Sequence, residues 1–227
     1  MIVVIGSPIG RSVDGVLSAG GSAARVALAA ARAGRSVQLV GKTGDDAIAD
    51  GVILDLARGG VGHVALLRDA ARATPLEGRP AADDEADVAD GDAADVDDPH
   101  PAVRSGDARP ADGPVLEAAD VDLGMRYLND FAVVALAEPA GPETVAIVAE
   151  AARWGAARLV VVVGAGERVP DGLPPDAIVF EAPDADPDGV FATLVGTFVA
   201  ALDDGTEPGE AFRASVASDG WTGTPEA

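Results

Sequence analysis

The sequence predicts a three-layer α/β/α domain built on a mostly parallel sheet. Two observations carry that expectation. Short apolar runs of strand length alternate with longer segments whose apolar residues recur at helical spacing, and such alternation requires parallel βαβ crossovers. Glycines punctuate the joints, where the chain must turn sharply or approach another backbone closely. At 227 residues and 48% hydrophobic composition, the chain is large enough to bury one α/β core.

Residues 2–5, IVVI, form an apolar run ended by Gly6, as expected of a buried parallel strand. Residues 13–17 read as a short edge strand before the Gly20-Gly21 pair. The glycine pair opens a helix rich in alanine, whose small side chains let it lie tight on a sheet, and Gly34 is placed as its C-terminal cap. Residues 36–40 make the next strand, and residues 41–46 a glycine turn. Ile48, Val52, Ile53 and Leu56 give residues 47–58 a helical period, closed by Gly59-Gly60, with a strand at 64–67.

The composition then shifts. Residues 83–98 hold nine carboxylates and no basic residue, and proline, glycine, alanine and aspartate dominate up to Pro114. This stretch has too little apolar surface to offset the entropy of ordering it, so residues 80–114 are expected to be a flexible acidic insertion. The Asp-x-Asp spacings lack the glycine and terminal glutamate of a calcium loop, which leaves a solvated segment as the simpler reading. Beyond it the pattern predicts helix 116–127, strand 131–136, helix 142–154, strand 158–163, strand 177–180, and closing helices at 190–202 and 208–217.

Charge narrows the function classes. Thirty-eight acidic residues against sixteen basic ones give a net charge of -22, and Lys42 is the one lysine. An aspartate-rich, lysine-poor surface suits a cytoplasm at very high salt, where screening confines repulsion to about 3 Å at 1 M; a halophilic, cytoplasmic protein is expected. No basic stripe supports nucleic-acid binding. The absence of cysteine excludes disulfides and thiolate chemistry, and His63 and His100 lie too far apart in sequence to suggest a metal site. No apolar run approaches the ~18 residues of a membrane span.

Residues 20–46, GGSAARVALAAARAGRSVQLVGKTGDD, resemble the N-terminal signature of the PfkB/ribokinase family of carbohydrate kinases, in which a glycine pair, a helix, a glycine, a strand and G-x-x-G-x-D follow one another. The resemblance covers residues 1–75 and 116–220. It implies a ribokinase-like fold with a reduced lid, in which residues 1–79 and 115–220 form two parts of one domain around the insertion at 80–114, with a tail at 221–227. It also implies an ATP- and Mg²⁺-dependent transfer of phosphate to a sugar or nucleoside hydroxyl, and pairing of lid strands in a homodimer.

Compared position by position, the resemblance assigns Gly20 and Gly21 to framing the substrate. Where the family carries a hydroxyl-binding aspartate and asparagine, this chain has Arg11 and Arg25. A guanidinium donates only, so if both face one pocket the expected ligand carries a carboxylate or phosphate. The alternative is that one or both arginines point at surface acids. The family's phosphate-binding D-T-x-G-A-G-D-x-F loop aligns with residues 183–191, PDADPDGVF. There Asp186, Pro187 and Asp188 replace the glycine run, and Gly189 takes the place of the catalytic base; a one-residue slip makes Asp188 the base if the protein is active. Pro187 lacks an N–H, and carboxylates repel phosphate where a helix N-terminus would attract it. Acidic helix capping by this loop is therefore expected, with phosphotransfer impaired or lost, and binding of a small ligand or a protein partner in its place. A Rossmann-type nucleotide site is the remaining alternative, but residues 2–11 lack the full glycine fingerprint, and the run after Val160 meets three prolines instead of a helix.

Overall fold

The computed structural model describes residues 1–13, 15–77 and 113–218; the insertion expected at 80–114 lies outside the described residues except for its last two, and so does the tail. Strand β1 (Ile2–Ile5) is central and wholly buried. It is flanked by β4 (Val37–Gly44) and β5 (Val61–Asp69) on one side, and by β6 (Val133–Leu136), β7 (Arg158–Val163) and β8 (Ile178–Glu181) on the other. Every pairing in this six-stranded sheet is parallel, in the order β5-β4-β1-β6-β7-β8.

Alternate side chains of β1 face opposite layers, as a strand buried on both faces requires. Ile2 and Val4 join a cluster with helices α1 (Gly21–Arg32), α2 (Ala47–Arg58), α5 (Val190–Asp203) and α6 (Pro208–Ser218). Val3 and Ile5 join the opposite cluster with α3 (Ala118–Met125) and α4 (Pro142–Trp154). The three layers expected from the sequence are thus present.

A second sheet departs from expectation. Residues 13–17 do not form one edge strand; β2 (Ile9–Val13) and β3 (Val16–Gly20) make an antiparallel hairpin turning through Gly15 at φ +76°. Asp55 of α2 anchors it by accepting the Ala19 N–H at 2.8 Å. Residues 75–77 run beside β2: Gly10 N–H donates to the Pro75 carbonyl, and Glu77 N–H to that of Gly10, each at 2.7 Å. This two-stranded sheet stands apart from the six-stranded one.

The glycine turn expected at 41–46 is mostly strand, since β4 continues to Gly44. Close packing explains its glycines: a Cβ on Gly41 would lie 2.4 Å from the Gly6 carbonyl oxygen, and one on Gly44 would lie 2.6 Å from Thr74 N. Asp46 then caps α2, accepting N–H groups from Ala49 at 2.8 Å and Thr74 at 2.6 Å. Burial pushes its carboxyl pKa up, but these hydrogen bonds more than offset that and hold it below the ordinary carboxylate value. At Gly34 (φ +82°) the helix ends as predicted, with the Gly34 N–H on the Ala31 carbonyl and the Arg35 N–H on that of Ala30.

Candidate functional site

Strand order reverses at β1: the chain proceeds outward to β4 and β5, then returns to β6 on the other side. In open parallel sheets a crevice forms at the carboxyl ends of the strands flanking such a switch. Here a cleft of about 370 Å³ lies at that place, lined by Ser7 after β1, Glu138 after β6, and Gly21 and Ser22 opening α1. Its far wall is the loop before α5, residues 183–186. Ser22 Oγ donates to the Ala137 carbonyl at 2.7 Å, and Glu138 Oε1 accepts the Ser7 N–H at 3.1 Å, so the helix start and both strand ends are tied together.

The four substrate-side residues predicted from sequence meet at one carboxylate, Glu77. Gly21, at φ +78°, donates its N–H to Glu77 Oε1 at 2.8 Å. Gly20 leaves room for the same group, since a Cβ there would stand 2.5 Å from Oε1. Arg25, one turn into α1, places Nη2 3.1 Å from both Glu77 oxygens. Arg11 on β2 brings Nε to 3.4 Å from Oε2. Side-chain exposures of 10% for Arg25 and 19% for Glu77 mark a largely desolvated pair, whereas Arg11 at 43% sits at its rim. Both arginines converge on one place, but the anion they face there belongs to the chain itself.

Arg25 also reaches the loop before α5. Its Nη1 donates to the Asp186 carbonyl at 2.7 Å and its Nη2 to that of Pro187 at 3.3 Å. Gly189, at φ +71°, clears the arginine stem: a Cβ there would lie 2.7 Å from Arg25 Cδ. The substrate-side and nucleotide-side residues expected from sequence are therefore one connected structure.

At the start of α5, Asp186 Oδ1 accepts the Phe191 N–H at 3.1 Å and Oδ2 the Ala192 N–H at 3.0 Å. The first-turn amides that a helix offers to an anion are thus bound to a side chain of the same loop. Pro187 has no N–H to add. Asp188 is exposed and lines neither this cleft nor the neighbouring groove. That groove, about 860 Å³, runs along Phe180, Phe191, Leu194, Phe212 and Val216 and shares Pro183 and Asp184 with the cleft. As folded, the loop presents a phosphate with neither the Phe191 and Ala192 amides nor an N–H at Pro187. Among the described residues, no group of three or more histidine, aspartate or glutamate side chains is placed to hold a metal ion, and no helix is long and apolar enough to cross a membrane.

Sequence reasoning missed Glu77 and Glu138. Glu138 carried a readable signal, being the first charged residue after an apolar strand at the switch point. Glu77 carried none, because its partners lie 52 to 66 positions away along the chain.

Residues 5–102, less than half of the chain, match the pfkB family carbohydrate kinase profile. No curated protein matches the sequence. Among solved structures, the fold is similar to that of a protein assigned as ribokinase II from Escherichia coli, in complex with ATP and Mg²⁺ (TM-score 0.59, 11% identity, covering 96% of this chain and 91% of that one). It is likewise similar to Arabidopsis thaliana ribokinase complexed with ribose and ATP (TM-score 0.57, 13% identity, 96% and 90% covered). A third is Escherichia coli phosphofructokinase-2 in complex with substrates and products (TM-score 0.56, 12% identity, 96% and 89% covered). With its six-stranded parallel sheet and glycine-opened first helix, this chain has the ribokinase-like fold of the PfkB carbohydrate kinases.

Proposed function

We propose that this protein is a PfkB-fold relative in which phosphotransfer is impaired or lost, and that it binds a small ligand in the cleft at the β1–β6 switch. One observation carries the reading: the Asp186 carboxylate accepts the Phe191 and Ala192 amides at the head of α5. A phosphate entering there would displace a covalently tethered anion and then sit beside it. Two like charges about 4 Å apart repel by roughly 4 kcal/mol at an effective dielectric of 20. Pro187 and the exposed Asp188 support the same conclusion, one lacking a donor and the other standing outside the cleft.

The anionic ligand class of this reading rests on Arg11 and Arg25, which stand outside the cleft lining and meet Gly21, a residue of that lining, at Glu77. Ser7 and Ser22 offer neutral hydrogen-bonding groups within the cleft. The acidic surface is an adaptation to a high-salt cytoplasm. Lid pairing in a homodimer would use the hairpin, where Val16 is 66% exposed.

The test is calorimetric titration with ATP·Mg²⁺ in multimolar KCl. Absence of binding by folded protein is expected. Saturable binding, followed by phosphate transfer to a sugar hydroxyl that Asp188→Asn abolishes, would establish instead an active ATP-dependent carbohydrate kinase.

A further inference from the structure

The surroundings of Glu77 are those of a ligand. Three donors from two segments, the first two turns of α1 and strand β2, converge on its two oxygens: the Gly21 N–H at 2.8 Å, Arg25 Nη2 at 3.1 Å and Arg11 Nε at 3.4 Å. Glycine at position 20 keeps the space beside Oε1 open. The backbone of Glu77 is held separately, through its N–H on the Gly10 carbonyl, so the side chain can leave without releasing the strand.

We propose that Gly21, Arg25 and Arg11 form a carboxylate receptor that Glu77 fills as an internal ligand, and that a carboxylate-bearing ligand binds by displacing it. Three donors on two oxygens match a carboxylate, whereas a phosphate would bring a third oxygen towards which none of these three is directed. A tethered competitor acts at an effective concentration in the millimolar range or above. Simple carboxylates are thereby kept out, and a ligand must add contacts in the cleft, which Gly21 also lines. This inference rests on the reading that Arg11 and Arg25 serve ligand binding, and it is independent of whether ATP binds.

The experiment is chemical complementation. Glu77→Ala is titrated with sodium formate and, separately, with inorganic phosphate, against sodium chloride at equal ionic strength in multimolar KCl; thermal midpoint and calorimetry are the readouts. The expected result is a saturable rise in midpoint with formate, at least tenfold stronger than with phosphate or with the unsubstituted protein, and absent when Arg25→Ala is added. Equal responses from variant and unsubstituted protein, or a stronger response to phosphate, would overturn the proposal. Should the alanine variant not fold in chloride, the readout becomes refolding yield. Recovery in formate alone supports the receptor, and equal yields in the two salts overturn it. None of these outcomes alters the result of the ATP titration, so the two readings fail separately.

Discussion

Arg25 shows how one residue changes meaning between sequence and structure. From the sequence it is a cation in place of a hydroxyl binder; in the fold it is a largely buried tie between Glu77 and the carbonyls of Asp186 and Pro187. Its position beside Gly21 was legible because helical spacing puts residues four apart on one face. Its partners were not, because no local pattern encodes a contact 52 or 161 positions away. Arg25→Ala removes the most buried charge partner of Glu77 and leaves its carboxylate to the Gly21 N–H and the rim guanidinium of Arg11. That change costs about 3 kcal/mol, read as a lower urea midpoint; a loss under 0.5 kcal/mol would contradict the account. Acid sensitivity resides in Asp203. Burial raises its carboxyl pKa, but hydrogen bonds from the N-terminal ammonium at 2.9 Å and from Arg35 Nε at 2.7 Å hold it below the ordinary carboxylate value. A depressed folded pKa contributes stability that is present above the unfolded value and is lost as pH falls through the folded one. Stability is therefore expected to decline with acid below about pH 4, and Asp203→Asn to be less stable at pH 7 with a flatter acid limb in equilibrium unfolding. An unchanged pH profile would remove Asp203 from that role.

At the level of elements, ends with a cap or a glycine stop were the most legible. Residues 47–58 and 142–154 are helices with the bounds expected, because Asp46 caps the first, Pro142 opens the second, and Gly59 and Gly155 close them. The hairpin was missed although Asp14-Gly15 is a hairpin signal, since Gly10 and Ser12 disguise β2 as a loop. The length of β4 was missed because its glycines at 41 and 44 read as a turn, whereas they serve backbone approach. The same logic governs the α1–α5 crossing that carries Arg25 towards the loop before α5. A Cβ on Gly196 would lie 2.5 Å from Ala29 Cβ and 2.6 Å from the Val26 carbonyl oxygen. Neither neighbour can swing aside, so Gly196→Ala is expected to cost about 2 kcal/mol and lower the melting midpoint by roughly 4–8 °C. A midpoint within 1 °C of the parent would show that the helices shift apart freely.

For the molecule as a whole, fold and chemistry separate. The alternation of strands and helices was enough to predict a parallel sheet between helices, whereas the β2–β3 hairpin and the switch of strand order at β1 emerged only in the fold. Surface charge adds a condition: at a net charge of -22, self-repulsion opposes compaction until salt screens it. The Debye length falls from about 10 Å at 0.1 M to about 3 Å at 1 M, so the thermal midpoint is expected to rise steadily from 0.1 to 2 M KCl. A midpoint flat across that range would detach the acidity from salt adaptation. The chemistry turns on the head of α5, where a carboxylate of the chain holds the amides that the resemblance assigns to phosphate. Calorimetry with ATP·Mg²⁺ on folded protein in multimolar KCl tests this most directly. The account predicts no saturable heat from the native chain and none after conservative changes elsewhere in the cleft. Saturable binding by the native chain would show that Asp186 yields those amides to a nucleotide, and would contradict the central claim.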